Sequence, residues 1–314
     1  MAKVVFLDAQ DLDDEPLKQV FSDYTSYPQT APSQVLARCQ GAVVILMNKI
    51  IISAEVIKAC PSLKLIAVAA TGVNNVDLKA AQAAGVQVRN VPGYSTASVA
   101  QLTMTFLLNW ATQMHRYAPE ASLWAKSSSF TRLIYPIREL AGLKLGIVGA
   151  GQIGQQVGHM AETFGMDVRT WARPNSSSTH TLWRRLPLRE FFETSDVISL
   201  HCPLTDETKQ MINRETLGWM KPGSFLINTG RGALIDELAL KEALISGHLG
   251  GAGLDVLSTE PPPVDHPLLD SAIPNLMITP HIGWGSFEAR ERLVKEVLEN
   301  IQSFLDGKDR NRMA

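Results

Sequence analysis

The 314-residue chain has few cysteines, no excess charge of either sign and no long apolar run. Cys39, Cys60 and Cys202 are odd in number and lack the spacing of metal ligands. They exclude a disulfide scaffold and a zinc site as expectations, and fit a reducing compartment. Lys plus Arg number 29 against 31 Asp plus Glu. That balance supplies no broad positive field for a phosphate backbone, so nucleic acid is not an expected partner. No apolar run exceeds that of Ala42 to Met47, far short of the roughly 20 residues of a membrane span. The opening run Val4–Leu7 breaks at Asp8, too early for the core of a signal peptide. A soluble, cytoplasmic protein is the expectation, with no metal and no membrane partner.

What is present is a globular composition, 45% apolar and 19% charged. At roughly 100–200 residues per domain, the length favours about two domains. Short apolar, β-branched runs alternate with helical patterns throughout. The first series is Val4–Asp8, Val43–Met47, Leu65–Ala70 and Val86–Val91; the second begins at Leu145–Gly151 and continues through Asp167–Ala172, Asp196–His201, Ser224–Thr229, Gly251–Val256 and Leu276–His281. Continuous apolar strands with little period-two alternation predict parallel sheets buried on both faces. The rhythm predicts an α/β architecture of doubly wound parallel sheets. Two long helical patterns, about Ser98–Met114 and Ser286–Leu305, stand at the seams of the two series. The last has no strand after it, so it is expected to pack back on the first domain. That domain is then discontinuous, 1–98 with 286–314, and holds the insert 99–285.

Gly149-Ala150-Gly151-Gln152-Ile153-Gly154 follows an apolar strand and precedes a helical pattern. In that context G-x-G-x-x-G reads as a dinucleotide loop. The first glycine permits the tight turn, the second lets backbone approach a pyrophosphate, and the third allows close helix–strand packing at a helix N-terminus. Gly149, Gly151, Gln152, Ile153 and Gly154 are therefore candidate cofactor contacts. An acid about 20 residues beyond the loop would bind the 2′-hydroxyl of NAD. Ala172 stands there instead, followed by Arg173 and a run of hydroxyl residues, which favours the 2′-phosphate of NADP over NAD.

Three polar residues stand at strand ends of the second series: Arg231 in Asn228-Thr229-Gly230-Arg231-Gly232, Glu260 in a Glu-Pro turn, and His281 in Thr279-Pro280-His281-Ile282-Gly283. Taken singly, each reads as readily as a solvated charge, a turn or a packed histidine. The ordered set G-A-G-Q-I-G, N-T-G-R-G, G-L-D-V…E-P and T-P-H-I-G resembles the D-isomer-specific 2-hydroxyacid dehydrogenase family over nearly the whole chain. Within it, the hydroxypyruvate and glyoxylate reductases (D-glycerate dehydrogenases) look closest.

The resemblance implies a Rossmann cofactor domain inserted in a flavodoxin-like substrate domain. It also implies hydride exchange between NAD(P)H and a 2-oxo acid. Arg231 would hold the substrate carboxylate and polarise its carbonyl, His281 would be the general acid–base, and Glu260 its partner. These residue types suit the chemistry. An imidazolium gives a proton near neutral pH, a neighbouring carboxylate favours its charged form, and a guanidinium matches a carboxylate and stabilises a growing oxyanion. By the same motif matching, Asp255 would orient the nicotinamide carboxamide. Thr229, Thr103 and the Cys202 backbone would line the cofactor, and His201 would be structural. Thr71 and Gly72 would bind the substrate carboxylate, and Trp284 would narrow the pocket. In this family a segment such as the apolar stretch of Leu123–Leu143 contributes to a dimer interface, which makes a homodimer expected. The competing readings are a member acting on a bulkier 2-oxo acid and a non-catalytic, nucleotide-sensing scaffold like the family's corepressors.

Overall fold

A computed structural model describes residues 2–171 and 183–314. The chain divides into two compact units, Met1–Ser95 with Gly285–Ala314, and Thr96–Trp284.

In the first unit, strands β1 (Val4–Phe6), β2 (Tyr24–Ser26), β3 (Val44–Met47), β4 (Leu65–Val68) and β5 (Gln87–Arg89) form a parallel sheet in the order β2-β1-β3-β4-β5. This is the flavodoxin-like order. Helices α1 (Glu15–Val20), α2 (Val35–Cys39), α3 (Ala54–Ala59) and α4 (Leu78–Ala83) connect its strands. Val5, Leu7, Ile45, Met47, Ile66 and Val68 turn one face of the sheet into a core shared with α2–α4. At the sheet's topological switch, Asp8 accepts the backbone N–H groups of Asn48 and Lys49 at 2.8 and 2.6 Å. The chain's own carboxylate thus occupies that crevice.

The second unit opens with α5 (Thr96–Thr112), α6 (Met114–Tyr117) and α7 (Ala121–Trp124). Strands β6 (Lys144–Val148), β7 (Asp167–Trp171), β8 (Arg184–Arg185), β9 (Val197–Leu200), β10 (Phe225–Asn228), β11 (Gly251–Leu254) and β12 (Leu276–Ile278) make a parallel sheet in the order β12-β11-β10-β9-β6-β7-β8. The strand order reverses at β6, as in a dinucleotide-binding sheet. Helices α8 (Gln152–Thr163), α9 (Leu188–Thr194), α10 (Arg214–Trp219) and α11 (Glu237–Ile245) link these strands. Successive residues of β6 face opposite cores: Leu145 and Ile147 pack with α5 and α8, while Val148 packs with residues of α9–α11. Gly253 on β11 lets α5 settle onto the sheet, because a Cβ there would stand 2.6 Å from the Phe106 ring.

The final helix, α12 (Phe287–Leu305), returns to the first unit and packs on β4 and α1. Ser286 starts it by accepting the Ala289 N–H at 3.2 Å, satisfying an amide that the first turn leaves unpaired. Leu293, Val297 and Ile301 form its buried stripe.

Candidate active site

The glycine loop leaves β6 at the switch point, where β6 lies between β7 and β9. Gly149 has φ +90°, and a Cβ on it would lie 2.7 Å from the Cys202 amide nitrogen. Neither the conformation nor the space admits a side chain. Gly154 lies in α8, and its Cβ would meet the Gly149 carbonyl oxygen at 2.3 Å, so the third glycine lets the helix close on the loop. Gly151 differs: it is the α8 N-cap, it is exposed, and nothing lies within 4 Å of its virtual Cβ. Gln152 is exposed beside it and Ile153 half-buried. A backbone cradle with an open middle glycine and the free N–H groups of a 12-residue helix fits the pyrophosphate of a dinucleotide. Ala172 and Arg173 lie outside the described residues.

Across the switch point, Cys202 is buried against the loop with its thiol in the core. His201 beside it contacts the Ser199 hydroxyl through Nε2 at 2.9 Å, and burial pushes its imidazole down to about 4. A ring held neutral this way packs rather than titrates near neutral pH.

At the end of β10, Asn228 is fully buried and closes a tight turn. Its Oδ1 accepts the Gly230 N–H at 3.0 Å and its Nδ2 donates to the Arg231 carbonyl at 2.9 Å. The sequence reading assigned Asn228 nothing, although an Asn two residues before a Gly is the signature of such an Asx turn. The turn presents Arg231, whose Nη1 donates to the Gly230 carbonyl at 2.8 Å. One of five guanidinium N–H groups is thereby committed; among the described residues no carboxylate pairs with the rest. Thr229 meets the Thr103 hydroxyl at 3.1 Å. Thr103 is fully buried and donates to the Val99 carbonyl at 2.9 Å, so Thr229 must supply the proton between the two hydroxyls. Thr103 thus stands behind Thr229 and orients it.

Asp255, just past β11, is 3% exposed. Its Oδ1 accepts from the Thr279 hydroxyl at 2.6 Å and the Ile282 N–H at 2.8 Å, and its Oδ2 accepts from the Gly283 N–H at 2.8 Å. The carboxylate therefore ties down both sides of the residue that carries the imidazole. His281 itself sits at φ +54°, held there by its N–H donating to the Asp255 and Thr279 carbonyls, both at 2.9 Å. A left-handed conformation in a non-glycine residue is costly, and this network supports it. The His281 ring meets Glu260 through Nδ1···Oε2 at 2.7 Å. Glu260 Oε1 accepts the Leu257 N–H at 3.0 Å. Nε2 of His281 is left without a protein partner among the described residues.

Arg231, Glu260, His281, Asp255, Thr229, Thr103, Cys202 and the glycine loop all belong to the second unit, as does half-buried Trp284. Thr71 and Gly72 belong to the first unit, in the turn between β4 and α4; the Thr71 hydroxyl donates to the Val91 carbonyl at 2.9 Å. Among the described residues no cluster of His, Cys, Asp and Glu is arranged to hold a metal ion. No helix among them is long and apolar enough to cross a membrane.

The family model for the NAD binding domain of D-isomer specific 2-hydroxyacid dehydrogenases matches residues 104–283. The chain is 40% identical over 314 residues to the glycerate dehydrogenase of Methylorubrum extorquens, covering 98% of each chain. It is 39% identical over 281 residues to the hydroxypyruvate reductase of Blautia hydrogenotrophica, covering 88% of this chain and 87% of the other. Among solved structures, the TT0316 protein of Thermus thermophilus superposes with a TM-score of 0.89 at 37% identity, covering 99% of this chain and 100% of that one.

Proposed function

The chain belongs to the D-isomer specific 2-hydroxyacid dehydrogenase family and is an oxidoreductase using a nicotinamide dinucleotide; from that premise we propose an NADPH-preferring reductase of a small 2-oxo acid, hydroxypyruvate or glyoxylate, yielding the D-2-hydroxy acid. The observation that carries the chemistry is the His281–Glu260 contact at 2.7 Å, which occupies Nδ1 and leaves Nε2 open. The dinucleotide supplies a hydride when bound. His281 gives the proton from Nε2 to the substrate oxygen as negative charge develops there, and Glu260 holds the ring oriented. Arg231, fixed by the Asn228 turn, takes the substrate carboxylate and stabilises the growing oxyanion.

Asp255 holds the His281 loop and is assigned to the nicotinamide carboxamide. Thr229, oriented by Thr103, and the Cys202 backbone are assigned to the cofactor. Thr71 and Gly72 are assigned to the substrate carboxylate, and Trp284 to the limit on substrate size. NADPH preference rests on Arg173 following Ala172 in the sequence. The three cysteines are buried and form no disulfide, which suits a cytoplasmic setting. Exposed apolar side chains at Trp124, Phe130, Leu133 and Ile137 support a homodimer through that segment.

A panel of 2-oxo acids, followed by cofactor absorbance, tests this reading. Hydroxypyruvate or glyoxylate should give the highest kcat/KM, with NADPH at least tenfold better than NADH. His281→Ala should lower kcat by about 10²–10⁴ while cofactor binding, read by fluorescence, stays within about twofold. A preference for bulky side chains would shift the substrate class. Absence of turnover with every acid would favour the scaffold.

A further inference from the structure

Behind the His281–Glu260 pair lies a second carboxylate–imidazole pair that no motif announces. Glu237 is the first residue of α11. The capping of that helix is done by Asp236, which accepts the N–H groups of Leu238 and Ala239. Glu237 turns elsewhere. Its Oε1 accepts the Ser258 N–H at 2.7 Å, and its Oε2 accepts both the Ser258 hydroxyl and, at 3.2 Å, the ring of His266 through Nε2. The side chains of Glu237 and His266 are 13% and 4% exposed. The His266 tautomer follows from its surroundings: Nδ1 accepts the Leu268 N–H at 3.3 Å, so Nε2 carries the proton and donates to Glu237.

We propose that Glu237, with His266, is a positioning residue for catalysis: one carboxylate clips both ends of the segment 258–266, and so fixes the Glu260 carboxylate against His281. This proposal rests on the roles assigned above to those two residues. Its geometry is over-determined from two sides. Ser258 is held by Glu237, while a Cβ on Gly232 would stand 1.9 Å from the Leu257 carbonyl carbon. The backbone leading to Glu260 is therefore seated directly against the residue after Arg231. Without Glu237, the peptide before Glu260 loses two of its anchors and the buried His266 N–H loses its acceptor, a loss that is costly for a buried group. The consequence is a Glu260 carboxylate no longer held at 2.7 Å from His281 Nδ1.

Glu237→Gln tests this. The amide keeps an acceptor for the Ser258 N–H but sets N–H against the His266 N–H, so the clip fails with little change in volume. The decisive readout needs no turnover: ¹⁵N spectra of the histidine-labelled protein at a pH where the rings are neutral, with His281 assigned by its loss in His281→Asn. The wild-type ring should be the Nδ1–H tautomer, and Glu237→Gln should move it at least halfway toward the mixture seen in Glu260→Ala. In turnover, kcat should fall about tenfold or more, with KM for NADPH within twofold and kcat counted per bound cofactor. A His281 spectrum unchanged from wild type overturns the proposal whatever the activity does. So does a lowered Tm with kcat per bound cofactor unaltered. If Glu237→Gln does not fold, Ser258→Ala removes one donor and should give a smaller displacement in the same direction; none would count equally against the assignment. Should the wild type turn over no 2-oxo acid, the functional reading fails while the tautomer still decides this one.

Discussion

His201 shows how much a single half-buried residue constrains this protein. Its imidazole titrates near 4 in the fold because burial disfavours the cation, against about 6.5 in an unfolded chain. Between those values the unfolded chain binds more protons, so the stability contributed by the neutral ring is complete above 6.5 and is lost as pH falls toward 4. The full effect is about 3 kcal/mol, of which about 2 kcal/mol is lost between pH 7 and pH 5. Denaturant unfolding at those two pH values should show that difference in the wild type and a smaller one in His201→Gln, whose amide still reaches the Ser199 hydroxyl. An equal pH dependence in both proteins would place the acid sensitivity elsewhere. At this same scale the sequence was informative where a motif fixes chemistry and silent where the fold brings distant residues together. Arg231, Glu260 and His281 stand out by their ordered strings. Glu237, Ser258 and His266 do not, because a helix-start acid and a loop histidine 29 residues apart have no local reason to meet.

At the scale of elements, strands with continuous apolar runs such as β3, β4, β9 and β10 were legible because both of their faces are buried. The two that escaped were β2, whose Tyr24-Thr25-Ser26 is only half-buried at a sheet edge, and β8, two exposed arginines at the opposite edge of the other sheet. Neither carries an apolar signal, since an edge strand needs no second buried face. The end of α5 was also read two residues late: the helix stops at Thr112 because Gln113 adopts φ +56°.

The turn from β6 into α8 gives a sharp separation of packing from binding. Gly149→Ala would have to adopt a left-handed φ and press on the Cys202 amide. It should destabilise the protein by more than about 2 kcal/mol and weaken NADPH binding together with it. Gly151→Ala meets no protein atom within 4 Å, so Tm should stay within about 1 °C while the NADPH dissociation constant, measured calorimetrically, rises at least tenfold. If Gly151→Ala bound NADPH normally, the loop would not be the pyrophosphate cradle.

At the scale of the whole molecule, the decisive feature is that the chain leaves one sheet after β5, builds a complete second sheet, and returns as α12 to finish the first. A unit made of one uninterrupted stretch, Thr96–Trp284, with its own two-sided core, has what independent folding requires. The same stretch carries the apolar arm, with Phe130 at 91% exposure and Leu133 at 74%. Side chains this exposed lose water contact only if another surface covers them, as the proposed dimer would. The two properties can be read from one fragment. Residues 96–284 expressed alone should unfold in a single cooperative transition, bind NADPH within about tenfold of the full chain, and sediment as a dimer; Phe130→Asp with Leu133→Asp should sediment as a monomer that still binds. A fragment that aggregates without binding would mean that α12 and the first sheet are needed for the second unit to fold. A dimer that persists in the double variant would move the interface away from the arm.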